Sequence, residues 1–392
     1  MTPQIAQANK NIRLYVLVKV FAKRVFLPLA AIYFVQVDHF TIREIGLLAA
    51  MFAFVQLFAE LPTGYFADKF ARITSIRLGA ALNVAATLIY VFIHHKAGVF
   101  VGEALEALGY SFMSGAGEAL IYDSLVVKKQ EHNYSKIVSR VQSVSLLINA
   151  GLLALVPLTY RIDPRLPFAI GTVAYLGLFL TACFMRDVGR KKAELKPRPQ
   201  LTFRLITKNH HIIAFGLLFG IVSALFTAPS DVYNLTLKAI GIRPDLLGLL
   251  FAVASLLAAA VGPLIYHLKR LGPKGYMLFD CLIAVTPMFA AYTRIALLLA
   301  FAWVVNMSFW RYRRIIYQEY LLTIYPTNYK ASLISAMNFT EEIALLWMPI
   351  VITSIVAGTS LNQGLGITGI AGLCILPLYL IAAKRLFPKM DR

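Results

Sequence analysis

Charge is scarce in this chain, and negative charge is scarcest. Of 392 residues, 15% are charged, and 19 acidic residues face 38 basic ones. A soluble domain carries about 25% charged and 45–50% apolar residues. Here 59% are hydrophobic and the mean hydropathy is +0.70. That excludes a soluble globular protein, with or without a single anchor. Cysteine is nearly absent too. Cys183, Cys281 and Cys374 each lie in an apolar run, with no spacing for zinc or a disulfide framework. No metal or cofactor is expected. The alternating ~10-residue segments of an outer-membrane barrel are missing. No cleavable signal is evident, because the first apolar segment carries Lys19, Lys23 and Arg24 in its middle and lacks a small-residue cleavage site.

What remains is a succession of apolar runs, each near the roughly 20 residues that span a bilayer as a helix. Twelve are predicted, over 12–37, 45–67, 73–95, 98–126, 135–160, 165–186, 210–235, 245–268, 275–293, 295–325, 332–357 and 364–386. Basic residues orient them. Lys10 and Arg13, Lys69, Arg72 and Arg77, Lys128 to Arg140, Lys269 to Lys274, and Lys384 to Arg392 share one side, placing both termini in the cytoplasm. The basic, proline-containing stretch from Arg186 to His210 reads as a cytoplasmic linker rather than a nucleic-acid arm. The expected organisation is a six-helix bundle over 1–187, a linker over 188–209 and a second bundle over 210–392. A shift of about 201 residues lays Gly272 over Ala71 and Glu319 over Glu118, a faint internal repeat.

Ionisable residues inside membrane helices are costly and mark candidate sites. Lys19, Lys23 and Arg24 in helix 1 and Arg311 and Arg314 in helix 10 are candidates to attract an anionic group, unless they pair or snorkel to an interface. Lys19 and Lys23, four apart, are expected on one face. Helix 4 carries Glu103, Glu106, Tyr110, Ser114 and Glu118 as one stripe at helical spacing. Glu103, Glu106 and Glu118 are candidates for a coupling proton, though the first two could simply be solvated. Ser223 and Thr227 in helix 7 are candidate solute contacts or merely bond their own carbonyls. Of Glu341 and Glu342, one is expected to partner a basic residue of helix 10.

One loop is more specific. Glu60-Leu-Pro-Thr-Gly64-Tyr-Phe-Ala-Asp68-Lys69-Phe-Ala71-Arg72 lies between two apolar runs, with Gly64 expected to permit close backbone approach and Asp68 to end the helix. Ser114-Gly-Ala-Gly-Glu118-Ala-Leu-Ile-Tyr-Asp123 follows in helix 4. Together they resemble a bacterial branch of the major facilitator superfamily, with its G-x-x-x-D-[RK]-x-G-[RK] loop, E-x-P-T-G-x-x-A-D stretch and S-G-x-x-E-A-x-x-x-D stretch. Ala71 departs from the loop's second glycine. The resemblance implies an all-α polytopic fold of twelve transmembrane helices in two pseudo-twofold bundles, rocking to give alternating access. It implies a conformational latch of Gly64, Asp68, Arg72, Asp123 and Arg140. The glycine ladder of the family's proton antiporters is missing around Ser145 to Pro157.

The expected activity is proton-coupled secondary transport of a small anionic or zwitterionic organic solute across a bacterial inner membrane, by a monomer among lipids with no nucleic-acid partner. The alternatives are efflux of amphipathic drugs and import of a carboxylate-type metal chelate. An integral-membrane enzyme would need a His/Asp or Ser/His pair at an interface. His94-His95, His132 and His210-His211 lie in loops without that setting.

Overall fold

A computed structural model of the protein describes residues 3–188, 210–324 and 330–386; the side chains of 210–213, 261–266, 269, 311, 314, 318, 321–324, 330–338, 383 and 386 are outside the described set. The regular structure of the described residues is helix, with no strand among them. In hydrocarbon each backbone N–H and C=O needs an internal partner, and a helix supplies it within one segment.

The order is α1 (Pro3–Phe21), α2 (Ala30–Gln36), α3 (Ile42–Lys69), α4 (Arg72–Phe92), α5 (Lys96–Met113), α6 (Ala116–Val127), α7 (Tyr134–Leu155) and α8 (Leu166–Phe184). After the undescribed stretch come α9 (His210–Thr227), α10 (Ser230–Ala239), α11 (Leu247–Ile265), α12 (Gly272–Tyr292), α13 (Ala296–Ile324), α14 (Lys330–Ala357) and α15 (Leu361–Leu386). Among the described residues, eight helical segments are long and apolar enough to cross a membrane. This is a multi-pass membrane protein.

Three segments expected as single helices are interrupted. The 12–37 segment leaves the helix after Phe21 and resumes through a 3-10 turn, Leu27–Leu29. Pro28 has no N–H to continue the ladder there. The 98–126 segment breaks at Ser114 and Gly115, whose φ of 71° is the left-handed conformation glycine adopts without a Cβ clash. The 210–235 segment breaks before Pro229. These interruptions decide where the polar side chains point.

The chain divides into two compact units, Met1–His39 with Met51–Leu195 and Phe40–Ala50 with Lys196–Arg392. The linker expected over 188–209 lies, Val188 apart, outside the described residues. The start of α3 groups with the second unit, which no sequence feature announced. Element starts recur 200 residues apart: Ala30 and Ser230, Arg72 and Gly272, Lys96 and Ala296.

In the first unit α4 packs on α5 and α8, and α1 on α6 and α7. Phe26, Tyr33 and Phe168 fill its centre, with ring centroids 4.9 Å (Phe26–Phe168) and 4.3 Å (Tyr33–Phe168) apart. In the second unit α9 packs on α14, and α12 on α13 and α15, around Phe219, Tyr276, Tyr317 and Tyr379.

Candidate functional site

The break after Phe21 carries Arg24 out of helical register and against α5. Its Nη2 donates to Glu106 Oε2 at 3.0 Å and lies 3.4 Å from Glu103 Oε1. Its Nε is 2.7 Å from Glu106 Oε1, an ion contact without hydrogen-bond alignment. Tyr90 on α4 places its hydroxyl 2.9 Å from Glu103 Oε2 and 3.2 Å from Glu106 Oε2. Tyr175 on α8 donates to Glu106 Oε1 at 3.2 Å. The Phe52 ring covers the guanidinium at 4.7 Å. Buried charges are tolerated only when such bonds offset the lost hydration. Glu103 and Glu106 are buried rather than solvated. The stripe expected on helix 4 is divided: the two glutamates face the interior of this unit, while Tyr110 and Ser114 are exposed. Gly115 ends α5 and resets the phase, so Glu118 belongs to a separate helix.

A second pair is more open. Lys19 Nζ and Glu118 Oε1 meet in a short ion pair, with side chains 30% and 40% exposed. The ammonium lies 5.3 Å from the Tyr15 ring centre, and Asn149 Nδ2 donates to the Lys19 carbonyl at 3.4 Å. Lys23 does not share a helical face with Lys19, because α1 has already ended. It sits half-buried in the break.

At the α3–α4 turn, Arg72 pairs with Asp123 on α6 and donates to the Ala119 carbonyl. Asp187 accepts from the backbone N–H of Arg72 at 3.1 Å, capping α4. The other expected latch members stand apart. Asp68 and Arg140 are exposed, and neither has an ion pair among the described residues. Helix α3 runs through Asp68 to Lys69 rather than ending there. Gly64 is exposed, and among the described residues no atom lies within 4 Å of where a Cβ would stand.

In the second unit, Arg313 on α13 grips Asp280 on α12. Nε lies 3.0 Å from Oδ1 and Nη2 2.8 Å from Oδ2, and Tyr317 donates to Oδ2 at 2.8 Å. The Phe219 ring covers the guanidinium at 4.4 Å. The side chains of Arg311 and Arg314 lie outside the described residues. Ser223 is buried and donates to Glu341 on α14. Thr227, the last residue of α9, is half-buried. Sequence reasoning missed the Arg313–Asp280 pair and the tyrosines Tyr90, Tyr175 and Tyr317. The available signal was Asp280, a lone carboxylate in an apolar run one helix before three arginines. A cleft of about 450 Å³ between α12 and α13 is lined mainly by apolar groups such as Ile283, Phe289, Leu298 and Phe301, while its two threonines, Thr286 and Thr293, bond carbonyls of α12.

Comparison with known proteins gives a consistent family. The family model described as Major Facilitator Superfamily matches residues 14–349. A probable vesicular acetylcholine transporter-A from Danio rerio is 28% identical over 181 residues, 45% of this chain and 34% of that protein. An uncharacterised transporter of the same type, YxaM of Bacillus subtilis (strain 168), is 24% identical over 246 residues, 60% of each chain. The chain thus spans about a third of one curated relative and 60% of the other. Among solved structures, the nucleoside transporter NupG superposes with a TM-score of 0.84, at 11% identity, covering 98% of this chain and 100% of that one. That likeness concerns the fold.

Proposed function

We propose that this chain, which belongs to the Major Facilitator Superfamily, is a secondary transporter carrying a small organic solute, zwitterionic before anionic, in exchange with or alongside protons. The observation that carries the solute class is the half-exposed Lys19–Glu118 pair. A simple anion would have to pull Lys19 away and strand Glu118. A zwitterion offers a carboxylate to Lys19 and an ammonium to Glu118, so neither charge is left alone. Arg24, held by Glu103 and Glu106, is a poorer solute contact than its position in the sequence implied. Glu103 and Glu106 instead fit the coupling role: two carboxylates share one guanidinium and two tyrosine hydroxyls, an arrangement in which one added proton rearranges the whole network.

The reading includes twelve spans in two six-helix bundles, alternating access, cytoplasmic termini and a monomer in a bacterial inner membrane. The distribution of basic loops and the likeness to a Bacillus transporter support it. A second reading, export of an amphipathic cation, draws on the paired carboxylates of α5 and on the likeness to a protein named for acetylcholine.

A thermal-stabilisation screen tests both readings. A ligand at 100 times its dissociation constant stabilises the native state by about 2.7 kcal/mol. Amino-acid-like zwitterions should raise the melting temperature of the purified protein, and Lys19→Gln and Glu118→Gln should each abolish that rise. Stabilisation by lipophilic cations alone, or a response retained in both variants, would overturn the zwitterion assignment.

A further inference from the structure

Asp38 lies in the turn between α2 and α3. Its side chain is 0% exposed, and neither carboxylate oxygen accepts a hydrogen bond among the described residues. One partner faces it across the gap: His94, in the α4–α5 turn, with Nδ1 3.4 Å from Asp38 Oδ1. The imidazole is 27% exposed, so it reaches solvent where the carboxylate does not. The other titratable neighbours are His39 on the same turn, Arg165 and Asp163 from the α7–α8 turn, and Tyr33 and Tyr160. The two tyrosines are committed elsewhere: Tyr33 donates to the Tyr90 carbonyl at 2.8 Å and Tyr160 to Gln36 at 2.9 Å. Asp163 accepts from the Arg165 backbone N–H at 2.8 Å. Burial pushes the Asp38 carboxyl above the usual carboxylate range, against the pull of His94, His39 and Arg165.

We propose that Asp38 and His94 form a proton-binding dyad in which the exposed imidazole exchanges a proton with solvent and the buried carboxylate is its acceptor. An ionised carboxylate enclosed without a hydrogen bond is strongly disfavoured unless a cation sits beside it. The pair therefore retains one proton, either on Asp38 or on His94 as imidazolium. Transfer breaks the N–H bond at Nδ1 and forms O–H at Oδ1, and the pair's net charge is unchanged. Loss of that proton leaves a bare carboxylate in the interior. The location gives the dyad a consequence. His39 adopts a left-handed backbone (φ 55°), uncommon outside glycine, and at the next residue the chain passes from the first compact unit to the second. The charge state of the dyad thus bears on the α2–α3 turn that carries Asp38 and His39.

The sign for Asp38 is set by its raised value. Its protonated form is favoured in the native state, so its contribution is fully present below the ordinary carboxylate range and is lost as pH rises. His94 limits that loss by standing beside the carboxylate as a cation. The test is the melting temperature of the purified full chain in detergent from about pH 5 to about pH 9, a range that brackets the histidine reference value. His94→Gln should fall behind wild type by roughly 5 °C or more near and below the histidine reference value, where an imidazolium can stand beside the carboxylate, and should converge on wild type at the alkaline end, where the ring is neutral. Asp38→Asn, added to His94→Gln, should recover most of that loss, and the difference between Asp38→Asn and wild type should itself vary with pH. A His94→Gln profile parallel to wild type, a loss that Asp38→Asn does not recover, or a pH-independent offset for Asp38→Asn would overturn the dyad. If His94→Gln does not fold, the Asp38→Asn offset alone decides. No solute enters these measurements, so the outcome is separate from that of the transport reading.

Discussion

Replacing Arg313 by Met isolates the buried Asp280 carboxylate. The two side chains are 2% and 3% exposed, so solvent screens little of their interaction. Removing one partner of such a pair costs about 3–5 kcal/mol, because the other charge stays buried. One feature holds the cost to the lower half of that range: Tyr317 still donates to Oδ2, and a hydrogen bond to a charged group contributes about 1.5–3 kcal/mol. The expected loss is therefore about 3–4 kcal/mol, or about 10 °C at roughly 2–4 °C per kcal/mol. Thermal unfolding of the purified protein, followed by intrinsic fluorescence, measures it. The decisive comparison is Arg313→Met with Asp280→Leu. Apolar residues in place of both charges leave nothing stranded, so the double variant should recover most of the loss. An Arg313→Met variant within about 1 kcal/mol of wild type, or a double variant no better than the worse single one, would refute the reasoning.

A methyl group at position 102 is expected to reach the Arg24 cluster indirectly. A Cβ on Gly102 would stand 2.6 Å from the Tyr90 ring, so Gly102→Ala should displace Tyr90 from Glu103 and Glu106 and lower stability by about 1–3 kcal/mol, with little further loss on adding Tyr90→Phe in a melting assay. At the α3–α4 turn, Arg72→Ala should cost about 1–2 kcal/mol while Asp68→Ala, on an exposed side chain, should fall within about 0.5 kcal/mol of wild type in the same assay.

Much of the site was legible in part. Lys19, Arg24, Glu103, Glu106 and Glu118 stand out as charge in apolar runs, and all five are engaged in the first unit. What could not be read was who pairs with whom. Lys19 and Glu118 are 99 residues apart, and Asp280 and Arg313 are 33 apart on different helices. Helical periodicity relates residues within one helix only. It failed within helices as well wherever the helix was interrupted. The phase carried from Glu106 to Glu118 assumed an unbroken turn at Gly115, and the face assigned to Lys19 and Lys23 assumed one past Phe21.

Composition alone determined that this chain lives in lipid and is helical there, because a backbone without water must bond to itself and few side chains here could remain solvated. The bias of basic residues toward alternate loops sets an expectation for orientation. The partners of each buried charge were decided by the tertiary structure. Whether a lysine attracts a solute or a glutamate depends on which helix lies beside it, and that is set by packing between distant segments, with broken helix ends turning side chains out of register.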